Sequence, residues 1–190
     1  MAVAPPDKRG WTPDSFLAYL TSSAPLFVTD VLAQLHALPV KFDDAWQIDH
    51  ICYRCDTENE YSHLTKTVLP HLGHLLVESV VGSRFVASFK LSTPIVLPHR
   101  PNATVDVLEV PSPKPGSHYD SGLEHIEVVV PYSLDAFLAE NPSHSSWDLK
   151  GMTKTVNRDA RVPLGSVSVK FHEQSLERVI ELEVAGVRTT

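Results

Sequence analysis

The chain has 190 residues, 43% of them hydrophobic and 21% charged, which is enough for one large domain or two small modules sharing a core. Its net charge of −7 argues against a nucleic-acid surface, because phosphate binding needs clustered Lys and Arg. No run is read as the roughly 18 apolar residues of a membrane span, and "MAVAPPDKRGW" lacks the apolar core of a secretory signal, so the cytosol is the expected compartment.

Residues 1–12 read as a loose, proline-containing tail. "TPDSFLAYLTSS" offers Thr12 as a cap before Pro13 at the first helical position. "APLFVTDVLAQLHAL" has apolar residues at 27, 28, 31, 32, 35 and 38, an amphipathic pattern that Pro39 closes. A helical pair over 1–46 is therefore expected before the main fold.

From Gln47 the periodicity changes. Strands are expected over 47–55, 74–81, 84–91 and 104–110, with a helix over 58–71 and a hairpin turn at Gly82. "PSPKPGSHYDSG" (111–122) reads as a Pro/Gly/Ser linker, which places a first module at 47–111 and the linker at 112–122. The order then restarts over 123–190: a strand at 123–130, a helix at 133–140, strands near 151–157 and at 166–172, and a final helix in "SLERVIELE". Each half reads β-α-β-β-β, the second compressed. The fold class expected is α+β, with two paired βαβββ modules forming an open, cup-shaped mixed sheet as one structural domain.

Two segments look like copies. "IDHICYRC" (48–55) and "LEHIEVVV" (123–130) each place an acidic residue, His and Ile at a strand start. Alternation puts His50, Cys52 and Arg54 on one strand face, and His125 and Glu127 on one face of the other. A polar face on a buried strand needs a purpose, because unpaired buried polar groups are costly. The mirrored histidines point to a metal pocket between the halves. Cys52 and Cys55 fall on opposite faces, which speaks against a shared metal or a disulfide scaffold. "TVDVLEVP" adds Glu109 near a strand end, and "SVSVKFHE" adds Lys170 and His172 on one face. Arg84, Ser88 and Lys90 share a face of "RFVASFKL". Asp49 and Glu124 precede the two histidines, and strict alternation would turn them away.

"DHICYRC", "SFKL", "LEHIEVVVP" and "VKFHEQSLERVI", in this order over about 49–184, resemble the YecM-like family of the vicinal-oxygen-chelate superfamily, which includes glyoxalase I, extradiol dioxygenases and bleomycin-resistance proteins. The resemblance implies two βαβββ modules around one divalent metal ion. It implies His50 and His125 as first-strand ligands and Glu109 as the first module's last-strand carboxylate. Where the family pattern has Glu in the second module, "KFHE" stands, and strand phase selects His172 over Glu173.

Such a donor set suits Fe, Mn, Zn or Ni. Glu127 is expected to act as general base if burial lifts its pKa. Arg54, Arg84, Lys90 and Lys170 are expected to bind an anionic substrate, with an Arg54–Glu127 ion pair as the alternative for Arg54. The expected activity is isomerase, epimerase, lyase or dioxygenase chemistry on a small, oxygen-rich metabolite, by a monomer or homodimer. A bleomycin-resistance type of sequestration protein is the alternative.

Overall fold

The structure, a computed structural model, describes residues 10–142 and 147–184. Most of the expected tail (1–9), His144 and the end of the second module's span (185–190) lie outside the described residues.

The first element departs from expectation. Instead of a helical pair, one helix, α1 (Pro13–His36), runs straight through Pro25. Thr12 caps it as expected, its hydroxyl accepting from Ser15 N–H at 3.2 Å. A proline inside a helix removes the hydrogen bond to the carbonyl four residues back. That carbonyl belongs to Thr21, which is exposed, so water can satisfy it and the helix continues. The helix is long and apolar enough to cross a membrane by composition, a feature the sequence reading did not register. Here its apolar face is in the core: Phe16, Leu20, Val28, Val31 and Leu35 are fully buried. Burial of such side chains stabilises by about 1.5–3 kcal/mol each, which ties α1 to the sheet.

The sheet follows. β1 (Ile48–Arg54) leads to α2 (Glu58–His63), which continues as a wide turn over Leu64–Val68 and a tight 3-10 turn over Leu69–His71, where Pro70 changes the winding. Then come β2 (Gly73–Val81), β3 (Arg84–Val96) and β4 (Thr104–Pro111). The β2–β3 hairpin turns through Gly82 and Ser83, both at positive φ (57° and 69°), the pattern of a two-residue hairpin. The second half supplies β5 (Gly122–Val129), α3 (Leu134–Glu140), β6 (Ala160–Leu164), β7 (Val167–His172) and α4 (Leu176–Val184).

The strand expected near 151–157 is not formed. Lys150–Thr153 is a 3-10 turn, with Gly151 packed against Asp159, and the strand begins at Ala160. That strand, "ARVPL", carries Pro163. β6 is an edge strand, where a proline is tolerated.

All seven strands join one sheet in the order β2-β3-β4-β1-β5-β7-β6. β1 pairs parallel with β4, and β5 pairs parallel with β7. β1 and β5 meet antiparallel at the centre, with Ile51 opposite Ile126. An exchange of these two residues exchanges the halves, so His50 corresponds to His125. The second half has no counterpart of β2 among the described residues, so it is βαββ. Ile51, Tyr53, Ile126, Val169 and Phe171 face α1 in the core, and the other sheet face forms a cup that α4 partly covers.

Candidate metal centre

The D/E-His-Ile words acquire their meaning from two irregularities in the central pairing. Ile48 pairs with Val128 and His50 with Glu127, so Asp49 is an extra residue bulged out of β1. Cys52 pairs with His125 and Tyr53 with Leu123, so Glu124 is the extra residue on β5. A bulge breaks strict alternation and lets two successive side chains reach one region. The expectation that Asp49 and Glu124 turn away is therefore corrected. Buried Asp49 accepts from His50 Nδ1 at 2.8 Å and from Leu176 N–H at 2.9 Å, capping the start of α4. Glu124 Oε2 lies 3.6 Å from His125 Nδ1. Each imidazole is thus steered from its Nδ1 side, with Nε2 directed into the cup.

Around those Nε2 atoms the carboxylates converge. Glu109 approaches His125 at 3.6 Å and His50 at 4.0 Å. Glu127 Oε1 lies 3.4 Å from His50 Nε2 and 3.5 Å from His125 Nε2. One donor atom each from His50, Glu109 and His125 falls within a mutual 4.8 Å, a little wider than the roughly 4.4 Å that two bonds of about 2.2 Å span, so the three side chains need close by only a few tenths of an ångström around an ion. His50 Nε2 is buried without a hydrogen-bond partner. Burial alone would lower the His50 pKa, but Glu127, Asp49 and Glu109 outweigh it and lift it to about 10. A pocket that holds a proton so firmly on a buried imidazole has the potential of a cation site. The residues fit a divalent metal.

A second trio, Cys52, Glu124 and His125, also clusters. It shares His125 with the first, and Glu124 is paired with Arg54 at 3.3 Å. Burial, with Glu109 and Glu124 adding to it, raises the Cys52 thiol well above its usual range, so the thiolate a metal needs is disfavoured. The His50 trio is the better centre.

His172 does have the expected strand phase, and Glu173 points away, accepting from Leu134 N–H at 2.9 Å. His172 nevertheless falls outside the converging trio. Its Nε2, like that of His50 buried without a hydrogen-bond partner among the described residues, stands 3.7 Å from Glu127 Oε2 and 3.6 Å from Asp49 Oδ2. The register explains why: Glu109 lies opposite Cys52, and the corresponding pair in the second half is Glu127 with Lys170. Lys170, not His172, occupies the mirror position of Glu109. Its ammonium donates to Glu127 at 2.6 Å and lies 3.1 Å from His125 Nε2.

Glu127 is the other correction. Burial would raise its pKa, as expected of a base, but Lys170 and His50 dominate and hold it well below the usual carboxylate range. It is an ionised, charge-balancing group within reach of both imidazoles. Of the four expected substrate cations, Lys170 and Arg84 line the cleft beside the centre. Arg54 pairs with Glu124, not Glu127, and lies 4.2 Å over the Tyr119 ring. Lys90 is taken by Glu177 at 2.7 Å and Asp106 at 3.1 Å, fastening α4 to the sheet. Ser168 and Arg161, which also line the cleft, received no role in the sequence reading.

The paired β-α-β modules meet at one seam, where His50, His125 and Glu109 come together, as the resemblance implied. The chain belongs to the YecM family: the family profile described as "YecM protein" matches residues 17–183. Protein YecM of Escherichia coli strain K12 is 27% identical over 149 residues, covering 71% of this chain and 77% of that relative. An uncharacterized protein of Haemophilus influenzae is 30% identical over 87 residues, 46% of this chain and 44% of the relative. Among solved structures, Protein EC4020, from structural genomics, aligns with a TM-score of 0.62 at 26% identity, covering 82% of this chain and 90% of that one. Methylmalonyl-CoA epimerase from Mycobacterium tuberculosis aligns with a TM-score of 0.45 at 13% identity, covering 74% and 97%.

Proposed function

We propose that this chain is a divalent-metal-dependent enzyme of isomerase, epimerase, lyase or dioxygenase type, acting on a small, oxygen-rich, anionic metabolite. The observation that carries the reading is the orphaned, buried His50 Nε2 facing Glu109, Glu127 and His125. His50, His125 and Glu109 would hold the ion, with Glu127 Oε1 in reach as a further donor. An Fe, Mn, Zn or Ni ion there would supply Lewis acidity toward two neighbouring substrate oxygens.

The chain's own residues do the rest. Asp49 and Glu124 fix the imidazole orientations and keep Nε2 directed inward. Lys170 holds Glu127 ionised and offers an N–H beside His125. α4, held by Asp49 and by Lys90–Glu177, shields one side of the cup from water. The convergence of two imidazoles and a carboxylate favours this reading over a sequestration protein without metal.

The test is Co(II) titration of chelator-treated protein, followed by visible absorption, with acetohydroxamate then added as a bidentate oxygen ligand. Absorption bands should saturate at one equivalent, shift with the hydroxamate and be absent from His125→Ala. Wild-type protein that develops no bands would overturn the proposal.

A further inference from the structure

The cleft beside the candidate centre has a volume of ≈ 400 Å³ and two unlike walls. The wall from β2 and its surroundings brings apolar Val77, Val81 and, from α4, Ile180 to the cleft, with Arg84 and Glu183 at their side. The opposite wall, from β6 and β7, presents Arg161, Ser168 and Lys170. Pairing of β6 with β7 sets Arg161 opposite Lys170, and Ser168 lies two residues along the same face.

Two polar groups on this wall are unmet. Ser168 is 1% exposed, and its Oγ has no hydrogen-bond partner among the described residues. Arg161 Nε is buried without a partner among them too, and the half-buried guanidinium approaches Asp148 at 3.9 Å. Buried polar atoms in folded proteins are nearly always paired, and those left over at a cleft mark where a ligand's polar group belongs. Lys170 adds a charged donor on the side of the candidate centre, with its contacts to Glu127 and His125 leaving one of its three N–H groups over.

Charge decides the ligand's sign. The four Lys and Arg and five Asp and Glu side chains that line the cleft, together with a divalent ion in the candidate centre, leave one net positive charge, with Lys170 and Arg161 on the β6–β7 wall. An ion-pairing monoanion neutralises this field, whereas a neutral or cationic ligand leaves it uncompensated.

We infer that Ser168, Lys170 and Arg161 form a carboxylate-binding subsite, and that the substrate is a monoanionic 2-oxo or 2-hydroxy acid with a short aliphatic tail. Ser168 Oγ–H and the Lys170 ammonium take one carboxylate oxygen, and Arg161 faces the other. The tail lies against Val77, Val81 and Ile180. The C2 oxygen and the carboxylate are the adjacent oxygens that the proposed function requires, so the inference deepens that reading. The carboxylate anchor itself is built from protein groups alone.

The experiment is calorimetric titration with 4-methyl-2-oxopentanoate, its methyl ester and inorganic phosphate, on chelator-treated and on zinc-loaded full-length protein. The acid should bind at least tenfold more tightly than the ester in both forms. Ser168→Ala and Lys170→Met should each abolish that preference, while Lys170→Arg, which keeps the charge, should preserve it. If zinc neither binds nor tightens the acid, the metal reading fails while the subsite stands. Equal binding of acid and ester, or no binding of the acid, would overturn the subsite. So would an unchanged preference in Ser168→Ala and Lys170→Met, or phosphate binding more tightly than the acid.

Discussion

The two halves of the cup carry the same word and use it differently. In each, an acidic residue bulged out of the central strand reaches back to the following histidine, and each histidine offers Nε2 to the seam. The first half does this tightly, with Asp49 at 2.8 Å from His50 and a second bond that caps α4. The second does it loosely, with Glu124 at 3.6 Å from His125 and shared with Arg54. The larger difference lies one strand further out, where the first half has Glu109 and the second has Lys170. A symmetric scaffold thus carries a carboxylate at one mirror position and an ammonium at the other, and the cleft's cationic wall grows from that exchange.

The largest effect should come from changing those mirror positions. Glu109→Ala should weaken metal binding by more than about 100-fold, since losses beyond the directly bonded shell already cost about 10–100-fold. Lys170→Met should cause no loss. Lys170→Glu, which restores the symmetric carboxylate, should tighten binding by about tenfold. Metal-competition titration against a chromophoric chelator measures all three; a loss in Lys170→Met as large as that in Glu109→Ala would erase the distinction.

Next in size are the bulge residues. Asp49→Asn should weaken metal affinity roughly 10–100-fold, and Glu124→Gln by roughly tenfold or less, because the first contact is shorter and more buried. The same titration decides it, and a larger effect at Glu124 would reverse the assignment of tight and loose halves.

Acidity offers a third contrast. His50 is held at about 10 in the fold against 6.5 for an unperturbed imidazole. The folded metal-free protein therefore binds this proton more tightly than the unfolded chain. Its stabilisation is complete below pH 6.5 and is lost as pH rises through about 10. Thermal melts of chelator-treated protein from pH 6.5 to 10 should fall more steeply for wild type than for His50→Gln. Metal must displace the same proton, so metal affinity should climb across that window. Parallel melting curves would contradict the assignment.

The smallest effect belongs to His172. Standing beside Glu127 and Asp49, it should change metal affinity less than about threefold when replaced by Ala, well short of the 10–100-fold range seen for groups that orient ligands. A loss as large as that for His125→Ala would return it to the ligand set.

What could be read without coordinates was whatever alternation and local turn chemistry control. The faces of β1, β5 and β7, the Gly82 hairpin, the Thr12 cap and the mirrored histidines are of this kind. What could not be read depended on pairing between distant strands. A bulge exists only relative to a partner strand, so Asp49 and Glu124 looked turned away until Glu127 and Cys52 were set opposite their neighbours. The same blindness made His172 look like the counterpart of Glu109, because only the β5–β7 register shows that Lys170 holds that place. A proline marks another miss: Pro25 sits inside an unbroken helix with its lost bond on the exposed side, where a helical pair was expected. Ser168 carries no signal in a sequence. Its meaning comes from burial without a partner.

The central claim is that two mirrored histidines share one ion. Elemental analysis of untagged protein, purified without chelator or nickel resin, tests it most directly. Wild type should carry about one divalent metal per chain, as expected of a site with three protein ligands, and His50→Ala and His125→Ala should each carry close to none. Equal metal content in wild type and both variants would contradict the account.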